Sequence, residues 1–297
     1  MFAAYWRALQ KNAVAYVFLI PAAVSLLFVD FVPMIYGVRL SFFVKNIFRP
    51  DYQPFVGLAQ YQQLVEDPLF VRSFFQGWYW TIGSVLGSFV VGMVAAVVMN
   101  QRLPARGLIR GIILIPWVVP SALAAMMFGL LLTSVGLVNT VLMNLGLIHD
   151  WHPWLSDPNT AMPALILTHT WKGFPFFAVM LLAGMQAIPP ELYEAAKIDG
   201  ANTLQCFRHI TIPGLRSTIM ISTLLSTIWT FGSIDLIYIM TSGGPFYSTF
   251  TLAMFAYVTA FGTGQMGYAA AASVVVALIL MVFTAIYLYS YLKREAE

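Results

Sequence analysis

The chain has 297 residues, 60% of them hydrophobic and only 9% charged, with a formal net charge of +3. Soluble domains carry about 25% charged residues, so this composition excludes a surface that faces water over most of its area. The single cysteine, Cys206, excludes an intramolecular disulfide and a cysteine-rich metal site.

Arg7 and Lys11 precede a first apolar run at 15–41. That run is longer than the core of a signal peptide, about 7–15 residues, and reads as an uncleaved first span. Five more runs follow at 73–99, 108–132, 161–187, 215–241 and 267–292. Each is long enough to cross a bilayer, which takes about 20 apolar residues in a helix. The runs are continuous rather than alternating, which excludes an outer-membrane barrel. The expectation is an all-α membrane protein, one domain over 1–297 with six transmembrane helices.

Lysine and arginine concentrate on the cytoplasmic side of membranes. With a cytoplasmic N-terminus, the inner side holds Arg7, Lys11, Arg102, Arg106, Arg110, Lys197, Arg208, Arg216, Lys293 and Arg294, and the outer side Arg39, Lys45, Arg49 and Arg72. The ratio of ten to four predicts both termini in the cytoplasm. It leaves loops 133–160 and 242–266, which lack Lys and Arg, outside. Loop 133–160 carries Asn139, Asn144, His149, Asp150, Trp151, His152, Trp154 and Asp157. It reads either as a contact for a soluble protein or as an interfacial aromatic anchor. His149 and His152 have no third and fourth ligand nearby, so no metal site is expected.

Segment 188–216 is too punctuated for a simple connector. Pro189 and Pro190 stop the fourth span. Glu191 and Glu194 then occupy the first turn of a new helix, where the dipole favours acids. Ala195 and Ala196 permit close approach of another surface. Asp199-Gly200 supplies a stop, and Asn202 and Thr203 a cap for a second short helix. Leu204 and Phe207 share a face of that helix, and Pro213-Gly214 breaks it before the fifth span. Such a helix pair is unstable alone in water. It packs on a partner, or lies as a re-entrant or amphipathic element on the inner leaflet.

Within the spans stand three charges, Asp30, Lys172 and Asp235; charges there mark pairs or pathways. Lys172 and Asp235 differ in depth by roughly 7–8 Å at 1.5 Å rise per residue, within reach of a lysine stem. The expectation is an intramembrane ion pair, or else contact of Lys172 with an anionic substrate. Ser226, Thr230 and Ser233 fall on one face of span five beside Trp229, with Phe231 and Tyr238 following. This is either a polyhydroxylated-ligand face or the hydroxyl glue common at membrane helix contacts. In span four, Gly173 and Pro175 are expected to loosen the helix beside a cavity. His169 is a lone span histidine, packed or cavity-lining.

The pattern Glu194-Ala195-Ala196, three residues, Gly200, nine residues, Ile210-Thr211-Ile212-Pro213 resembles the EAA loop of permease subunits in bacterial binding-protein-dependent ABC importers. Ile212 stands where leucine is usual, a volume-conserving change. The run from Pro190 to Ala201 and the turn Thr241-Ser242-Gly243-Gly244-Pro245 are similar to the carbohydrate, maltose-permease type. The resemblance spans roughly residues 10–292 and implies the type I ABC importer permease fold. It implies that 188–216 is the coupling helix, with Glu194, Ala195, Ala196, Asp199, Gly200, Ile210 and Pro213 meeting an ATPase. It implies sugar contacts at Lys172, Gly173, Phe176, Ser226, Trp229, Thr230 and Ser233. Two of the span-five positions are longer amides in that type, and Phe176 replaces a tyrosine, which implies a different sugar or more bridging water.

The resemblance further implies a translocation subunit of the bacterial inner membrane that imports a sugar or related carbohydrate by alternating access. The alternatives are another small solute such as a polyol or glycerol phosphate, or a secondary transporter. No G-x4-G-K-[ST] loop occurs, so the chain is not itself the ATPase and binds no cofactor. ATP and magnesium belong to two copies of a separate ATP-binding subunit. A second homologous permease subunit and an extracytoplasmic solute-binding protein complete the expected partners, with no nucleic acid. An intramembrane enzyme is disfavoured: no paired intramembrane Asp, Ser-His set or H-E-x-x-H is present.

Overall fold

Backbone polar groups in hydrocarbon must be satisfied within the chain, which leaves helices as the route for continuous apolar runs. The computed structural model describes residues 13–101 and 104–295; Arg7, Lys11 and Arg102, three cations of the charge count, lie outside them. The described residues are helical, with only isolated β-bridges, Phe43–Phe55 and Asn46–Arg49.

The helices in chain order are α1 Ala13–Ser25, α2 Val32–Leu40, α3 Ala59–Glu66, α4 Pro68–Asn100, α5 Arg106–Val118, α6 Ser121–Leu131, α7 Leu137–Asn144 and α8 Ala161–Gln186. They continue with α9 Pro190–Ile198, α10 Thr203–Cys206, α11 Ile212–Gly214, α12 Arg216–Gly232, α13 Asp235–Thr241, α14 Leu252–Tyr257 and α15 Met266–Glu295. A π-helical turn, Leu26–Phe31, joins α1 to α2 and contains Asp30.

Four helices are long and apolar enough to cross a membrane unbroken: Val17–Leu40, Pro68–Asn100, Ala161–Gln186 and Met266–Tyr291. The third and fifth predicted spans differ from expectation, because each is a bent pair. Gly107–Val118 and Ser121–Leu131 meet at 91°, and Arg216–Gly232 and Asp235–Thr241 at 43°. Pro120 explains the first break. Proline excludes the helical conformation of the residue before it, and Val119 is extended at φ −64°, ψ 125°. The second break falls at Gly232-Ser233, a Gly/Ser pair of the kind that kinks helices, with Ser233 extended at φ −81°, ψ 137°.

The chain divides into two compact units, residues 1–66 with 256–275, and residues 67–255 with 276–297. In the first, buried Gln60 donates to the carbonyls of Ser41 and Phe43 at 3.1 and 2.7 Å. Gly267 N–H donates to Lys45 O, and Ile47 N–H to Gly264 O. These bonds tie α3 and the start of α15 to the turn after α2.

In the second unit, α4 and α8 pack with almost no spacing between them. A Cβ added at Gly83 would stand 2.7 Å from Ile166, and one at Gly92 2.5 Å from the Phe177 Cβ. Small residues allow such approach where no hydrophobic drive separates lipid from protein. Phe177, Ala178, Leu181, Met93 and Ala96 form the core along this seam. A second core joins Trp80, Ala125, Met162, Leu165, Leu236 and Ile237, and so unites α6 and α13, the second halves of the two bent spans, with α4 and α8.

Span four corrects one expectation. Gly173 and Pro175 do not interrupt α8, which runs continuously from Ala161 to Gln186. Gly173 serves close packing instead, since a Cβ there would lie 2.8 Å from the Ser88 Oγ.

Candidate functional site

The two broken spans expose their ends to the same space. A cavity of about 190 Å³ is lined by Trp117, Ser121, His169, Lys172, Gly173, Phe176, Ser226, Trp229, Thr230, Ser233, Asp235 and Leu236. All seven residues expected to meet a substrate therefore stand around one cavity. Phe231 and Tyr238, which follow them in sequence, do not line it. Phe231 is buried against Trp78 with ring centroids 5.1 Å apart.

Aromatic rings form one wall. Phe176 lies edge-on to Trp229 at 5.3 Å and tilted to Trp117 at 6.3 Å. Trp229 is 59% exposed, so its ring faces the cavity rather than a neighbouring core. Hydroxyls of Ser121, Ser226, Thr230 and Ser233 supply the polar counterpart. Trp117 and Ser121 escaped the reading of the sequence; the signal was the pair Pro116 and Pro120 inside an apolar run, which marks a break and therefore a lined cavity. His169 is cavity-lining, with its ring edge-on to Trp80 at 5.0 Å.

The expected Lys172–Asp235 ion pair does not form. Lys172 Nζ instead donates to the backbone carbonyl of Val119 at 2.8 Å. A His–Asp contact within 4 Å does form elsewhere, between His152 and Asp157. Helix termini explain both intramembrane charges. Val119 caps the C-terminal end of α5, where carbonyls lack an in-helix donor and the dipole favours a cation. Asp235 is the first residue of α13, where the dipole favours an anion. Each charge thus sits at an end of a broken helix. At the end of α12, the Thr230 carbonyl receives Trp80 Nε1 and Ser233 Oγ, both at 3.0 Å.

Segment 188–216 folds as two short helices, as its punctuation predicts. Pro190 opens α9, Glu191 lies in its first turn and Lys197 in its last, whereas Glu194, expected in the first turn as well, falls beyond it. Gly200 has φ +83°. This left-handed residue lets Ala201 N–H reach the Ala196 carbonyl at 2.8 Å, a Schellman closure. Asn202 and Gln205 form a reciprocal capping box at 2.9 and 2.7 Å. Tyr193 and Thr211 hydroxyls, 3.0 Å apart, link the two arms.

Two details differ from expectation. Leu204 is 72% exposed, whereas Phe207 packs on the core of Met185, Ile188 and Leu215. Pro213-Gly214 does not break the chain, which keeps helical dihedrals through Leu215 into α12. The preceding π turn, Phe207–Thr211, absorbs the bond that proline removes, since Ile212 N–H reaches the Phe207 carbonyl.

Glu194 and Ala195 are exposed. Ala196, Asp199, Gly200 and Ile210 line one hollow of about 310 Å³, with Cys206 and His209. Ile210 and Pro213 line an adjoining hollow of about 420 Å³. Ile198 stands 87% exposed between the helices' ends.

Segment 133–160 is knotted around Asn139, which is fully buried. Its amide donates to the carbonyls of Ser134 and His152, each at 2.8 Å, and its oxygen accepts from Trp154 Nε1 at 2.9 Å. His152 Nε2 lies 3.2 Å from the Thr160 hydroxyl, so it is committed to the start of α8. No group of three metal-ligating side chains occurs among the described residues. Asn139→Ala strands several buried polar groups, each costing about 1–3 kcal/mol. The expected result is faster proteolysis within 133–160 with the α4–α8 core still folded, read by limited digestion and mass spectrometry.

Residues 88–295 match the family described as binding-protein-dependent transport system inner membrane component. The trehalose/maltose transport system permease protein MalF of Thermococcus litoralis is 35% identical over 287 residues, 94% of each chain. The sulfoquinovosyl glycerol transport system permease protein SmoG of Agrobacterium fabrum is 34% identical over 284 residues, 95% of this chain and 92% of that one. In fold, the chain is similar to one from a bacterial ABC transporter involved in the import of the acidic polysaccharide alginate. The TM-score is 0.83 over 97% of this chain and 98% of that one, at 22% identity. By family, helix composition and fold, the chain belongs to the inner membrane components of binding-protein-dependent transport systems, the multi-pass permease subunits of ABC importers, which do not themselves hydrolyse ATP.

Proposed function

We propose that this subunit passes a saccharide, or a closely related polyhydroxylated solute, through the cavity between its two broken spans. The supporting observation is the convergence of Phe176, Trp229, Ser226, Thr230, Ser233 and Gly173 on that one cavity. Aromatic faces meet the C–H surfaces of a sugar, and hydroxyls meet its hydroxyls. Relatives named for trehalose/maltose and for sulfoquinovosyl glycerol transport support a carbohydrate cargo.

The first span supports a second permease subunit. None of the hydrophobic window of Val17–Leu40 is buried, and Asp30 is exposed within it. An acid in hydrocarbon is costly without a partner, so a second subunit covering this helix is the economical arrangement. Segment 188–216 docks on an ATP-binding subunit, two copies serving the pair of permeases, with ATP and magnesium held there. A solute-binding protein delivers cargo to the opposite face, and both termini lie in the cytoplasm. Closure of the ATPases draws the coupling helices together and turns the cavity outward; hydrolysis returns it inward.

Proteoliposomes holding the complete transporter test this reading. Trp229→Ala removes the exposed ring and is expected to cut saccharide uptake about tenfold, with assembly intact by gel filtration. Uptake equal to wild type would reject the cavity as the pathway, and uptake without ATP would reject the ABC mechanism.

A further inference from the structure

Lys172 occupies a position where the family resemblance puts a substrate contact, yet its ammonium is bound to the protein itself. The Nζ–Val119 O distance of 2.8 Å is that of a direct hydrogen bond. Val119 is no ordinary acceptor. It is the extended residue at the 91° break of span three, immediately before Pro120. Its carbonyl belongs to the last, unsatisfied group of a helix terminus.

Two further observations locate this bond. Trp117 and Ser121, on either side of the break, both line the cavity. Beyond the break, α6 packs with α13, the second half of the other broken span, through Ala125, Leu236 and Ile237. The second halves thus form a pair, and each is joined to its first half through extended backbone, at Val119-Pro120 and at Ser233. One of those junctions is pinned from span four by Lys172. The other carries its own charge, Asp235, on the helix end it begins.

We propose that Lys172 is a positioning residue. It holds the break of span three in place from span four, and so sets the paired half-helices α6 and α13 as one gate on the outer side of the cavity. An amine suits this role. A carbonyl at a helix C-terminus favours a cation, and a lysine stem buries its methylenes along the helix while its head reaches a polar acceptor. Motion of the gate in alternating access then requires breaking or carrying this bond, so the bond couples cavity and gate. The inference rests on the transport reading above.

The test uses the assembled transporter with its ATPase, partner permease and solute-binding protein in proteoliposomes. Wild type comes first: absence of ATP-dependent saccharide uptake there would reject the transport reading, whatever Lys172 does. Given uptake, Lys172→Met removes the donor and keeps the stem. Lys172→Arg keeps a cation able to donate to the Val119 carbonyl. Loss of the pin predicts that Lys172→Met hydrolyses ATP without the binding protein, lowering the stimulation by loaded binding protein about fivefold or more. The solute concentration for half-maximal uptake changes less than twofold, and the order of preference among sugars stays the same. Lys172→Arg restores at least half of the stimulation. Should Lys172→Met not assemble, Lys172→Leu, which also lacks a donor, takes its place with the same expectations. Wild-type stimulation in the donor-lacking variant would overturn the proposal. So would a tenfold change in half-saturation or a reordered sugar preference, which would make Lys172 a substrate contact.

Discussion

Replacing Gly92 by leucine is expected to destabilise the α4–α8 pair strongly. A Cβ at that position would meet the Phe174 carbonyl at 2.8 Å and the Ala178 nitrogen at 3.0 Å, as well as the Phe177 Cβ. Two of the three neighbours are backbone of α8, which no rotamer change can move aside. Overpacking in a core costs about 1–3 kcal/mol when side chains can adjust, and here the helices must separate. The cost is set at about 3 kcal/mol or more. In a domain of this size that lowers the unfolding midpoint by about 6–12 °C, read by tryptophan fluorescence in detergent. Gly111→Ala is the matched control. Nothing stands within 4 Å of a Cβ at Gly111, so the substitution gains helix propensity of up to about 1 kcal/mol and the midpoint does not fall. Equal losses in both variants would show that the seam is not the determinant.

The second large effect is expected at segment 188–216, and it leaves the spans intact. Glu194 is exposed and in the described structure answers to no neighbour in its own chain. Glu194→Lys should therefore leave thermal stability within about 0.5 kcal/mol, as surface changes usually do. Transport should nonetheless fall about tenfold or more if, as proposed, this segment docks on the ATP-binding subunit. Gly200→Val acts through the backbone. Space around Gly200 is open, but its φ of +83° is left-handed, a conformation that costs a non-glycine residue about 1–2 kcal/mol and a β-branched one more. The closure onto Ala196 would loosen and the second helix would lose its placement relative to α9. Both variants should assemble in the membrane and retain binding-protein docking while uptake per ATP hydrolysed drops. Normal uptake in Glu194→Lys would remove the coupling assignment.

Why the loop was legible and the cavity less so follows from the range of the forces involved. Pro190, Gly200 and the Asn202–Gln205 box act within a few residues, so their spacing alone predicts two capped helices. Spacing puts Leu204 and Phe207 on one apolar face, yet only Phe207 finds a core to pack on, which depends on the distant Met185, Ile188 and Leu215. In span four, Pro175 suggested an opening that the tight apposition to α4 does not permit. Around the cavity, the serine and threonine face of span five was legible because Ser226 and Thr230 lie on one helix and Ser233 directly follows its end. Trp117 and Ser121 were not, because they reach the cavity only after span three turns by 91°.

The intramembrane charges carry the same lesson. Sequence distance and helical rise place Lys172 within reach of Asp235, and opposite charges in hydrocarbon are expected to pair. What decides the outcome is the position of two helix ends, which exist only because spans three and five break. Lys172 goes to the carbonyl end of one half-helix and Asp235 begins another.

By itself, then, the sequence determined membrane residence, the number of apolar runs and the capped helix pair at 188–216, since hydropathy, proline and glycine act locally. Only the tertiary structure decided where the spans break, which residues the breaks bring to the cavity, and what Lys172 holds, because those depend on contacts between segments far apart in the chain.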